Sequence, residues 1–146
     1  MPLLNSAAEM QAEIAGWRHH IHENPEILFD CVKTSAFVAE KLRAFGCDEV
    51  ATGIGRTGVV GLIKGRLGNG PVIGLRADMD ALPIEEKTGL PHASKIAGKM
   101  HACGHDGHTA MLLGAALHLA ETRNFRGAVA VIFQPAEEGG GGGREM

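Results

Sequence analysis

Residues 107–133 read GHTAMLLGAALHLAETRNFRGAVAVIF, and this stretch decides the fold class. Its first part, Gly107 to Glu121, is rich in Ala and Leu. Met111, Leu112, Ala115 and Leu119 recur there at helical spacing, which predicts a largely buried helix. Its second part, Gly127 to Phe133, is a short apolar run suited to a buried strand. Upstream, Ser6-Ala7-Ala8-Glu9 has the form of a capping box and predicts a helix start. Ile14, Trp17 and Ile21 continue at helical spacing, and Pro25 stops the helix near Asn24. A second helix is expected from Lys33 to Phe45, with Gly46 as its stop signal. Gly58 to Lys64 and Pro71 to Ala77 are β-rich runs. Gly68-Asn69-Gly70 lies between them, and this turn chemistry predicts a β-hairpin. A loop holding Pro83, Gly89, Pro91 and Gly98 then leads to the long helix. The order is helix, helix, hairpin, loop, helix, strand, which predicts an α/β sandwich with a mixed sheet.

The chain has 146 residues, enough for one domain with a core. Its formal net charge of −3 gives no reason to expect a nucleic-acid partner. No run approaches the length that spans a bilayer, so no membrane partner is expected. The N-terminus lacks the basic start and long apolar stretch of a secretory signal, and a cytoplasmic location is the default. Three cysteines, Cys31, Cys47 and Cys103, are too few for a disulfide framework. Cys31 and Cys47 read as reduced, buried small hydrophobes.

Cys103 differs, because it lies between two histidines. His101, Cys103, His105, Asp106 and His108 fall within eight residues. Thiolate and imidazole both bind zinc and related divalent ions. In an extended segment the spacing of Cys103 and His105 points both side chains the same way. Gly104 permits an unusual turn, and Asp106 is placed to cap the helix that follows. Glu137-Glu138 ends the buried strand. Adjacent strand residues point to opposite faces, so one carboxylate can ligate a metal while the other handles a proton. Asp78 and Asp80 share a face and suit metal ligation or the orienting of a histidine ligand; the bland alternative is a loop-capping pair with Arg76 as ion partner. His19, His20 and His22 lie near a helix C-terminus, where the dipole favours them. The run Gly139 to Gly143 lacks the Gly-Lys-Ser/Thr of a phosphate loop and reads as a mobile or turn-rich loop. A cysteine-nucleophile enzyme, with His101 or His105 as base, is a further alternative.

Four segments, His22-Glu-Asn-Pro-Glu26, Gly74-Leu-Arg-Ala-Asp-Met-Asp-Ala-Leu-Pro83, Met100-His-Ala-Cys-Gly-His-Asp-Gly-His108 and Phe133-Gln-Pro-Ala-Glu-Glu-Gly139, together carry a resemblance. The sequence resembles the M20 metallopeptidase superfamily, in the amidohydrolase branch of hippurate hydrolases, N-acyl-amino-acid amidohydrolases and auxin-conjugate hydrolases. The resemblance implies a mixed-sheet α/β sandwich of the zinc-exopeptidase type and a centre of two divalent metal ions, Mn²⁺, Zn²⁺ or Co²⁺. It implies Cys103, His105 and Glu138 as metal ligands, Glu137 as general acid/base, and Asp80 as an acidic residue beside the site. Asp78 falls where other branches place a histidine ligand. The implied substrate is a small N-acyl amino acid or similar conjugate, and the implied parent is a longer homo-oligomer.

The resemblance also implies further histidine ligands downstream and a smaller dimerisation or lid domain. Residues 1–146 are thus expected to be the N-terminal part of a catalytic domain, truncated and inactive alone. A buried strand that leads into a glycine run without a covering element agrees with that expectation. The rival from another class is a binding or structural module with one structural metal or none.

Overall fold

A computed structural model describes residues 5–146. The elements are α1 (Asn5–Glu9), α2 (Gln11–Glu23), α3 (Val32–Ala44), β1 (Glu49–Ile54), β2 (Gly58–Lys64), β3 (Val72–Asp78), α4 (His105–Thr122), β4 (Ala128–Gln134) and α5 (Gly142–Glu145). The expected first helix is broken at Met10 into α1 and α2. The side chain of Ser6, on which the capping box depends, lies outside the described residues. The other expected helices form within one or two residues of their predicted ends.

The four strands make one mixed sheet in the order β1-β2-β4-β3. This corrects the expected hairpin. β2 does not pair with β3, because β4 lies between them, antiparallel to β2 and parallel to β3. The connecting turn wraps the start of β4 instead: Gly65 N donates to Gly127 O, and Gly127 N donates to Gly68 O. A Cβ on Gly65 would lie 2.1 Å from Phe125 O, and one on Gly127 2.0 Å from Pro71 O. These glycines serve a close backbone crossing that a two-stranded reading does not require. The hairpin is β1–β2, turned through Gly55 and Arg56, both at positive φ. β1 was not foreseen, since it is a largely exposed edge strand of mixed polarity. β3, α4 and β4 form a βαβ unit, as parallel neighbours require.

α3 lies over β1 and β2, α4 lies mainly over β3, and α2 packs on α4. Val38 and Leu42 of α3, Leu113 of α4, and Val59, Ile63, Val131 and Phe133 of the sheet are wholly buried in one cluster. The far edge is open among the described residues: Val72 on β3 is 65% exposed and Ile73 57%. No helix among the described residues is long and apolar enough to cross a membrane.

Residues 83–100 form a strap folded against the end of α2. Lys95 binds Glu23 through both its ammonium and its backbone N–H. His92 stacks on His19 at 3.8 Å between ring centroids. Packing, then the charges of His19, His22 and Arg18, holds His92 below its usual value, against the pull of Glu86.

Two stability outcomes are expected. Leu113→Ala should cost about 2–5 kcal/mol in urea denaturation, and Met111→Ala, at an exposed position of the same helix, within about 0.5 kcal/mol. Because folding lowers the His92 pKa, its contribution is present above about 6.5 and is lost as pH falls from there toward the folded value. Denaturation at pH 7 and at pH 5.5 should therefore show a smaller loss of stability in His92→Gln than in the unsubstituted chain.

Candidate metal centre

The parallel pairing of β3 and β4 brings their C-terminal ends together, with Asp78 opposite Gln134. Met79 N donates to Gln134 O and extends that pairing by one step. Asp80 follows, 1% exposed. Its Oδ1 accepts the backbone N–H of Glu137 and its Oδ2 that of Glu138, each at 3.0 Å. Its backbone carbonyl accepts His105 Nδ1–H at 2.7 Å. Glu137 and Glu138 lie in a turn beyond β4, so strand alternation does not set their directions, contrary to expectation. The clamp on their amides does. Just before them Ala136 takes φ 53 and donates its N–H to Leu28 O, where Leu28 takes φ 54.

His105 opens α4. Gly104 precedes it at φ 86, and no side chain caps the helix at that residue. Cys103 and His105 therefore converge through a left-handed turn into a helix, not along an extended segment. Asp106 is not the cap; it is buried in the first turn and turned toward α2. With Nδ1 committed to Asp80, His105 presents Nε2 to three carboxylates: Asp78 Oδ1 at 3.6 Å, Glu137 Oε2 at 3.8 Å and Glu138 Oε1 at 3.9 Å. Ligand atoms of Cys103, His105 and Glu138 all lie within 4.8 Å of one another, and so do those of Asp78, His105 and His108. His108 Nδ1–H donates to Asp78 Oδ1 at 2.7 Å, and Arg76 Nη1 donates to Oδ2 at 2.7 Å.

Electrostatics follow this crowding. Burial pushes the Asp78 carboxyl up, but His108, His105 and Arg76 together hold it below its ordinary value. A hydrogen bond to Glu138, then desolvation and the charges of Glu138, Glu137 and Asp78, pushes the Cys103 thiol up.

The donor set fits a divalent metal. A ring nitrogen whose partner nitrogen is already oriented, a thiol and several carboxylate oxygens share one small volume, and N, S and O donors suit Zn²⁺ and its neighbours. The two possible sets share His105, and with Nδ1 bonded to Asp80 O only its Nε2 is left, which can serve one ion. The described residues thus offer one full three-ligand position, and a second ion would need other donors.

The remaining histidines divide. His92 sits on the strap with His19, and His20 packs on Phe37. His101 is buried, neither ring nitrogen finds a partner among the described residues, and burial pushes it down to about 4 against the pull of Asp106. His22, read from sequence as a helix-end residue, turns inward to Asp106 and Glu86. Glu26 caps α3: its oxygens accept Lys33 N, Thr34 N and Thr34 Oγ1. Nothing in the spacing marked these two roles, because both partners of His22 are remote in sequence. The glycine run is turn-rich, with Gly139 and Gly141 at positive φ before the short α5.

A family model described as Peptidase family M20/M25/M40 matches residues 74–146, half of the chain. The chain belongs to this family. A hippurate hydrolase of Campylobacter jejuni is 53% identical over 146 residues, which is all of this chain and 37% of that protein. An N-acetyl-L-cysteine deacetylase of Bacillus subtilis is 48% identical over 94% of this chain and 33% of its own length. Among solved structures, the YXEP protein of Bacillus subtilis, a dinuclear metal binding peptidase from the M20 family, superimposes with a TM-score of 0.89 at 44% identity, over 94% of this chain and 39% of its own. The chain therefore spans about a third of the length of these M20 relatives, and the mixed α/β sheet is the part it shares with them.

Removing the Asp80 clamp should uncouple the site. Asp80→Ala leaves the two half-buried amides without their acceptor and should cost about 1 to 3 kcal/mol, read by urea denaturation. A cost below about 1 kcal/mol would mean that the clamp does not hold the glutamates.

Proposed function

We propose that the protein containing this chain is a metal-dependent amidohydrolase that cleaves the amide bond of N-acyl amino acids or similar small conjugates. One observation carries the reading: a thiol, an imidazole nitrogen and a carboxylate converge within 4.8 Å of one another, with a second carboxylate beside them. The similarity to a hippurate hydrolase and to an N-acetyl-L-cysteine deacetylase supports the substrate class.

Cys103, His105 and Glu138 would hold one ion, and a second would draw on residues outside this chain. Divalent ions bound there would polarise the acyl carbonyl and acidify water. Glu137, whose side chain is 43% exposed beside His105, is the free base of the set. It takes the proton of the attacking water and returns it to the leaving amine. Asp80 is a positioning residue: its carboxylate fixes the peptides of Glu137 and Glu138, and its carbonyl fixes the ring of His105. On this reading residues 1–146 are the N-terminal part of a catalytic domain, the exposed apolar edge of β3 is where that domain continues, and the chain alone is silent or nearly so.

In a protein carrying the whole domain, Glu137→Gln should lower N-acyl-amino-acid hydrolysis about 100-fold or more while leaving metal content unchanged. Glu138→Gln should lower metal content as well. Exhaustive chelation should abolish turnover, and added Mn²⁺ or Zn²⁺ should restore it. Undiminished turnover in Glu137→Gln would remove its assigned role. One tightly held ion and no hydrolysis in the whole domain would favour a structural metal site.

A further inference from the structure

Among the described residues, a second group of buried ionisable side chains lies beside the candidate site, toward α2. Asp106 is wholly buried in the first turn of α4. Its Oδ2 accepts His22 Nδ1–H at 2.8 Å and Arg18 Nε–H at 3.1 Å. On the other side of the ring, His22 Nε2 lies 3.2 Å from Glu86 Oε2 and 3.3 Å from Oε1. The His22 side chain is 5% exposed and that of Glu86 2%. Glu86 also accepts Ser94 N at 2.7 Å and the Thr88 hydroxyl. A chain of carboxylate, imidazole and carboxylate thus runs from α4 through α2 to the strap. A carboxylate oxygen thus faces each ring nitrogen of His22.

The position of this chain matters because Asp106 directly follows His105. Successive helical residues are rotated by about 100°, so anchoring Asp106 toward α2 fixes where His105 points. On the sheet side that first turn is held by His105 to Asp80 O and by His108 and Thr109 to Asp78; on the α2 side the anchor is Asp106, since Gly104 carries no cap and Gly107 has no side chain. Buried ion networks contribute little net stability but can specify one arrangement over others.

We propose that the Asp106–His22–Glu86 chain is a positioning device for the candidate metal centre, setting the rotation of the first turn of α4 and so the aim of His105 Nε2 at Cys103 and Glu138. His22 is then a positioning residue, and the proposal rests on reading Cys103, His105 and Glu138 as a metal set.

The test uses the whole 146-residue chain with two variants, His22→Phe and Glu86→Ala, and two readouts. The first is Co²⁺ titration followed by the thiolate-to-cobalt absorption of Cys103. The second is exchange of the His105 Nδ1–H proton with water, followed by NMR without metal. His22→Phe should weaken Co²⁺ binding about 10- to 100-fold, the usual range for an outer partner of a ligand, and should speed the ring-proton exchange. Glu86→Ala should move both readouts in the same direction by less. Folded variants that leave both readouts unchanged overturn the proposal. If His22→Phe does not fold, Glu86→Ala decides by the same measurements. If the unsubstituted chain shows no thiolate-to-cobalt band, the metal reading fails, and the ring-proton exchange alone decides whether the chain aims His105.

Discussion

Asp80 is buried, and a buried carboxyl group must find hydrogen-bond partners close by. It finds them in the consecutive amides of Glu137 and Glu138. Two bonds from one rigid carboxylate fix the plane and direction of that backbone, which independent anchors would leave freer. The carbonyl of the same residue takes the Nδ1–H of His105. Three of the residues that face one another in the candidate site are therefore registered to one point at the end of β3. The parallel β3–β4 pairing exists, in functional terms, to bring that point to the turn beyond β4.

The ligand-type side chains were legible in the sequence because they sit in two short segments whose chemistry is local. Cys103 with His105, and Glu137 with Glu138, announce themselves by residue type and spacing. The reasons for their convergence were not legible. The extended geometry expected for residues 103–105 is a left-handed glycine followed by a helix start, and the strand geometry expected for residues 137–138 is a clamped turn. In both pairs the side chains converge for a cause that spacing alone does not state.

The hairpin failed for a related reason. Gly68-Asn69-Gly70 reports a turn, and there is a turn. No local signal states whether the flanking strands then pair or admit a third strand between them. β4 inserts because its two faces carry Val129, Val131 and Phe133 inward and smaller or half-buried residues outward, which suits a central strand. β1 carries no signal in the sequence because an exposed edge strand has no apolar alternation. His22 and Glu26 belong to the same class of omission: their partners are recruited by the tertiary fold, and composition near them says nothing of it.

The central place of β4 also orders events in time. β4 is the fourth of the described strands in sequence yet lies between β2 and β3. As the chain leaves a ribosome, β1, β2 and β3 emerge before the strand that must join them, and the two halves of the sheet have no shared ladder until residues 128–134 arrive. Such long-range closure is slow compared with helix formation. Asp80 is made 57 residues before the amide of Glu137 that donates to it, so that bond waits on synthesis. Joining of the two halves of this sheet and clamping of Glu137 and Glu138 are thereby a single step.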